Sequence, residues 1–246
     1  MMKSLDEKGF DKDNPQHVLI SLGDLLDRGP DAVKCLEFVN SLSRKILIRG
    51  NHEDLMCDAI KRKHFYSHDY HNKTVETVHQ LLDIHTDIVQ QRMGYPNSRD
   101  ILTQMETNKL WNTYINSCID FAETDKYVFV HGWIPNDDDW RNGDWESARW
   151  FNGMEYWSYS VTVPDKTILC GHFHTSWGHS HLHKDGVEFD DEALCSFFPT
   201  LRRQAKFTPF KDKGIIALDA CTALTGFCNC ITLNIAEKQL RKYLHD

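Results

Sequence analysis

Four short motifs carry the residue types that phosphate-ester chemistry needs. They are Gly23-Asp24-Leu25-Leu26-Asp27-Arg28-Gly29, Gly50-Asn51-His52-Glu53, Val130-His131-Gly132 and Gly171-His172-Phe173-His174. Hydrolysis of a phosphate ester is served by two divalent ions about 3.5–4 Å apart, which activate a water and neutralise the entering and leaving oxygens. One carboxylate must be able to touch both ions, and Asp24, fixed by Gly23, is the candidate bridge. The amide oxygen of Asn51 and the imidazoles of His131 and His172 suit a borderline ion such as Mn²⁺, Fe or Zn²⁺. Together these four side chains make one complete metal position.

The neighbours of the ligands have roles of their own. His52 follows Asn51, so its ring lies near a bound ester and can protonate a departing alkoxide. Asp27 can orient and charge that ring. Arg28 offers a planar fork that matches two phosphate oxygens. Arg149 is a second candidate phosphate contact, with a cation packed on Trp145 or Trp150 as the equal alternative. Each motif alone also has a plain structural reading, because Gly-Asp forms turns and Asn-His-Glu forms helix caps with a capping glutamate. Their joint occurrence in one order points to chemistry.

Apolar runs at residues 17–22, 45–48, 126–130, 167–169, 214–218 and 228–235 have strand length. The first four each end in a motif, as expected of an α/β fold whose site forms at the carboxyl ends of strands. Helical spacing follows Pro30 over residues 31–43, with Val33, Leu36, Val39 and Leu42 on one face, and recurs over 53–63. A polar helical region follows at about 64–123, with Val75, Val78, Leu81 and Tyr114 among its apolar positions and a break at Gly94-Tyr95-Pro96. We read it as a cap or insertion on a single domain spanning 1–246.

A chain of 246 residues is long enough for one full α/β core. The formal charge of −8 argues against nucleic-acid binding, which needs a basic stripe. No run of 18 apolar residues is present and the first residues are too polar for a signal peptide, so no membrane segment and a cytoplasmic location are expected. The eight cysteines read as reduced, buried thiols, with Cys228 and Cys230 sharing one face of a strand in a packing role. Of the 14 histidines, His64, His68, His71, His79 and His85 read as solvated, and His179, His181 and His183 as an exposed alternating row on a strand. Residues 186–213, with Phe197, Phe198, Phe207 and Phe210, read as a substrate-side loop. The oligomeric state is left open.

The ordered motifs resemble those of the calcineurin-like metallophosphoesterase superfamily, on the phosphoprotein-phosphatase-like branch that includes bacterial and phage enzymes. The likeness covers about residues 2–235. It implies an α/β/β/α sandwich with Asp24 as bridging ligand and Asn51, His131 and His172 completing the second metal's shell. His174 resembles a ligand of the first metal, His52 with Asp27 a catalytic dyad, and Arg28 a phosphate holder. The implied activity is hydrolysis of phosphate monoesters by direct attack of metal-bound hydroxide. Its partner is a phosphorylated substrate, phosphoprotein or nucleotide, with dinucleoside polyphosphates as the alternative. Asp219 resembles a position beside the active site and is read as structural. Family members also carry Gly-Asp-x-His-Gly on a first strand, and nothing before Gly23 matches it. The expectation is therefore a missing first strand and an incomplete first metal site, explained by a natural start further upstream or by a non-catalytic, metal-binding remnant.

Overall fold

The motifs are carried by two sheets in this computed structural model, which describes residues 1–84, 97–189 and 204–244. The predicted break at residues 94–96, together with His85, Phe197 and Phe198, lies outside the described residues. After a short helix α1 (Met2–Glu7), strands β1 (Leu19–Ser21), β2 (Lys45–Ile48) and β3 (Cys118–Ile119) form a parallel sheet in that order. The second sheet contains β4 (Ala122–Glu123), β5 (Tyr127–Phe129), β6 (Thr167–Cys170), β7 (Phe210–Asp212) and β8 (Ile215–Ala217). Its order is β4-β5-β6-β8-β7, with β5, β6 and β8 parallel and the two edges antiparallel. The result is the mixed α/β class expected from the sequence.

Side-chain alternation explains why residues 46–48 of β2 and 168–170 of β6 are apolar in succession, since both faces of a covered parallel strand are buried, while Lys45 and Thr167 at the strand starts are only partly covered. Ile46 and Ile48 join Phe129 and Leu169 of the other sheet in one hydrophobic cluster. Leu47, pointing the opposite way, packs with Leu36, Met56 and Tyr114. Val128, Ile168 and Cys170 turn away from the first sheet to pack with Trp133 and Met154.

Helix α2 (Ala32–Ser41) starts where Asp31 accepts from the Lys34 backbone N–H, and it buries Leu36 and Val39. Helix α3 (Asn51–Arg62) opens on the second motif and ends at Lys63 in the left-handed conformation. The region predicted as a cap folds into α4 (Ser67–His71), α5 (Thr74–Leu81), α6 (Ser98–Met105) and α7 (Lys109–Ile115). Val78, Leu102, Met105 and Tyr114 are fully buried there and share one cluster with Leu36 and Met56. The helical reading overshoots at its end. Cys118–Ile119 pairs with Leu47 and Ile48 instead, so strand pairing overrides local spacing. Helices α8 (Trp145–Ala148), α9 (Gly153–Ser158) and α10 (Ser176–His181) follow in the second half.

Three further expectations are corrected. Residues 228–235 form no strand; Ile231, Leu233 and Ile235 pack on the cluster between the sheets from irregular backbone. His179, His181 and His183 lie on and just after α10, so they splay. His179 is buried against the Thr208 carbonyl, His181 faces Glu188 and His183 faces Asp212. His79 is buried on α5, unlike the exposed His64, His68 and His71. Seven described cysteines are free thiols, of which only Cys170 is fully buried. No helix among the described residues is long and apolar enough to cross a membrane.

Leu169, 2% exposed between the sheets, is the natural probe of their packing. Leu169→Ala should lower unfolding free energy by about 2–5 kcal/mol in a urea titration, and a loss below about 1 kcal/mol would contradict a close-packed interface there.

Candidate metal centre

Each of the four motifs begins where a strand ends. Asp24 follows β1, Asn51 opens α3 after β2, His131 follows β5 and His172 follows β6. Because β1 runs parallel to β2 and β5 to β6, the strands of each pair deliver their ligands at the same end. The ligand atoms of Asp24, His131 and His172 lie within 4.8 Å of one another. Asn51 Oδ1 completes the group, 2.9 Å from His131 Nε2 and 2.8 Å from His172 Nδ1, and Asp24 Oδ2 lies 3.2 Å from His131 Nε2.

The chemistry of these contacts fits a cation. His131 Nδ1 lies 2.5 Å from the Leu22 carbonyl, to which it donates. That fixes the tautomer and leaves the Nε2 lone pair facing the oxygens of Asn51 and Asp24. A carboxylate oxygen, an amide oxygen and two imidazole nitrogens thus meet as electron-pair donors, the donor set of a borderline divalent ion. Without metal, a proton takes part of that role. Burial opposes charge on His131, yet the adjoining Asp24 carboxylate draws its pKa up to about 9. Burial, reinforced by the charge on His131, pushes His172 down to about 4. Burial likewise opposes ionisation of Asp24, but the surrounding imidazoles, His131 foremost, hold it well below the usual carboxylate range.

The loops reach this geometry through unusual backbone. Asp24, Asp27, Arg28 and His172 have φ of 54°, 64°, 57° and 61°, in the left-handed region that side-chain-bearing residues seldom occupy. Gly23 and Gly50 let the first two motifs touch. A Cβ on Gly23 would lie 2.7 Å from His131 Nδ1 and 2.8 Å from Gly50 Cα, and one on Gly50 would lie 2.7 Å from both the Asp24 nitrogen and Glu53 Oε2.

Glu53 does more than its motif reading suggested. It is fully buried and caps α3 by accepting from the Gly50 N–H at 2.7 Å. It also accepts from the N–H groups of Asp24 (3.0 Å) and Leu25 (3.2 Å) and from the Tyr114 hydroxyl (2.8 Å). Burial, with the Asp24 charge added, raises its pKa. The capping-box spacing was visible in sequence, whereas the reach across to residues 24 and 25 was not.

The remaining predicted residues fall as follows. His52 Nδ1 lies 2.7 Å from Asp27 Oδ2, and the His52 N–H donates to Asp24 Oδ1 at 3.1 Å. Burial opposes charge on His52, but the Asp27 hydrogen bond and the Asp24 charge raise its pKa on balance. Arg28 is exposed and donates to Asn72 Oδ1 at 2.7 Å. Arg149 is buried, and its two terminal nitrogens donate to Asp54 (2.6 Å) and Asp120 (2.5 Å). His174 stands outside the ligand group, with Nδ1 2.8 Å from Ser176 Oγ. Asp219 accepts from the Cys221 N–H, and burial lifts its pKa to about 6. Half-exposed Trp150, not singled out as a site residue, sets its ring edge-on to His172 with centroids 6.0 Å apart.

The chain matches the family described as calcineurin-like phosphoesterase over residues 2–205. It is also similar to serine/threonine-protein phosphatase 1 of Salmonella typhimurium (strain LT2), at 46% identity over 59 residues. That match spans 24% of this chain and 26% of the relative, about a quarter of each.

Metal uptake should carry a proton signature. With His131 near 9 in metal-free protein, a divalent ion must displace its proton, so about one proton is released at neutral pH. Affinity should rise with pH until about 9 and then level off. Calorimetry in buffers of different ionisation enthalpy measures this release, and uptake without it at neutral pH would contradict the site chemistry.

Proposed function

The chain belongs to the calcineurin-like phosphoesterase family, and we propose that it is a protein-phosphatase-like hydrolase of phosphate monoesters. The observation that carries this reading is the meeting of Asp24, Asn51, His131 and His172 as electron-pair donors at four strand ends. These residues would hold a divalent ion, with Mn²⁺, Fe or Zn²⁺ all compatible with mixed oxygen and nitrogen ligands. When bound, such ions supply charge neutralisation and a water of lowered pKa.

The protein's own side chains supply the rest. Because His52 Nδ1 is taken by Asp27, the nitrogen left to hand a proton to the departing alkoxide is Nε2. The lift in its pKa favours the protonated ring that an acid needs. Arg28, exposed beside the dyad, presents its fork to the phosphoryl oxygens. We read the displacement as direct and in line, with water as nucleophile, because the side chains converging here already serve as ligands or in the dyad.

A phosphoprotein substrate is supported by the name of the Salmonella relative. A nucleotide substrate is the second reading, favoured by the half-exposed indole of Trp150 beside His172, on which a base could stack. A reducing, cytoplasmic setting is supported by the free cysteines.

The test is metal analysis together with p-nitrophenyl phosphate turnover. Metal-loaded protein should turn over, and His52→Asn should lower kcat by about 10²–10⁴-fold while retaining metal. Metal-loaded wild-type protein without turnover, or loss of metal and activity together in His52→Asn, would contradict the reading. A panel of phosphopeptides and nucleotides, with Trp150→Ala raising KM for nucleotides alone if bases stack there, separates the two substrates.

A further inference from the structure

The 27–32 loop carries both the dyad carboxylate and the phosphate fork, yet Asp27 and Arg28 both sit in the left-handed region, at φ of 64° and 57°. Two consecutive non-glycine residues in that conformation persist only where their surroundings over-determine it. Most of that determination comes from one edge of the neighbouring helices. Thr77 Oγ1 donates to Asp27 Oδ1 at 2.7 Å and accepts from the Asp27 N–H at 3.1 Å. Its other possible acceptor, the Lys73 carbonyl, is further off at 3.3 Å. Thr74 Oγ1 donates to Asp27 Oδ2 at 2.7 Å, the same oxygen that lies 2.7 Å from His52 Nδ1.

The grip continues along the loop. Asn72, just after α4, accepts from Arg28 Nη2 at 2.7 Å. Gln80 accepts from the Ala32 N–H at 2.6 Å and donates to the Gly29 carbonyl at 3.4 Å. Residues 74, 77 and 80 are three apart on α5 and so share one helix face. Thr74 and Thr77 are 0% and 2% exposed, which leaves no water to replace their hydroxyls.

We propose that Asn72, Thr74, Thr77 and Gln80 form a positioning clamp on the 27–32 loop, and that Thr74 and Thr77 aim the Asp27 carboxylate at His52. The proposal rests on the phosphoesterase reading of the site. The two threonines touch neither the metal ligands nor the ester. Their hydroxyls fix the rotation of the carboxylate, and the carboxylate in turn fixes the imidazole that faces the leaving group. The edge belongs to the region predicted from sequence as a cap, so that region acts on the chemistry from behind the site. The pattern is hard to see in sequence, because the partners are 47 and 50 residues apart.

The test uses the intact, metal-loaded chain. Thr74→Val and Thr77→Val keep shape and remove the hydroxyl. Each should lower kcat for p-nitrophenyl phosphate by about 10-fold and the pair by up to about 100-fold, with KM and metal content unchanged. Thr74→Ser and Thr77→Ser keep the hydroxyl and should restore most of kcat. A second readout is independent of turnover. The His52 Nδ1 proton, held by Asp27, should give a protected downfield NMR resonance that the double valine variant loses and the serine variants keep. A folded double valine variant with undiminished kcat and an unchanged resonance would overturn the proposal. So would activity loss that follows metal loss, or serine variants as impaired as the valines. Wild-type protein that holds metal without turnover counts against the phosphoesterase reading, and the resonance then decides the clamp alone.

Discussion

Four electron-pair donors are forced together at one point, and much of the remaining structure is arranged so that they stay there. Asp24 Oδ2, Asn51 Oδ1, His131 Nε2 and His172 Nδ1 meet with His131 already donating its other nitrogen's proton to Leu22. Such a meeting is unfavourable unless positive charge lies within it, because buried lone pairs without a donor cost free energy comparable to a lost hydrogen bond. The high His131 pKa of about 9 in metal-free protein expresses the same demand in protons. A divalent ion answers it more fully.

Neither sheet holds the complete set. The first contributes Asp24 and Asn51, the second His131 and His172. The cluster containing Ile46, Ile48, Phe129 and Leu169 is therefore what brings two half-sites into register. Around them stands a layer of groups that touch loops rather than ligand atoms. Glu53 gathers the N–H groups of Asp24, Leu25 and Gly50 and the hydroxyl of Tyr114, stitching the first two motifs to α7. The left-handed backbone at Asp24 is held by these contacts and by the glycines that let the loops abut.

The convergence of Asp24, Asn51, His131 and His172 was legible because strand-length apolar runs ending in metal-binding residue types are a local signal. The mixed α/β class followed from the same runs. Much that was missed is long-range. Glu53 looked like a helix cap and is one, but its second oxygen serves a loop almost 30 residues away. Thr74 and Thr77 look like ordinary helix residues until α5 is laid against the 27–32 loop. The ion pairs of Arg149 with Asp54 and Asp120 likewise join residues 95 and 29 positions apart. Segment type failed where pattern and context disagreed. The alternating histidines after residue 178 lie on and just after a helix, and the apolar stretch at 228–235 packs without pairing.

The central claim is that the imidazoles of His131 and His172 bind one cation directly. Pulsed electron paramagnetic resonance on Mn²⁺-loaded protein tests this most directly, since it detects nitrogen bonded to the ion. The account predicts coordinated imidazole nitrogen in the wild-type protein, reduced by replacement of either His131 or His172 with alanine. Bound manganese with no coupled nitrogen, or coupling unaffected by either replacement, would contradict it.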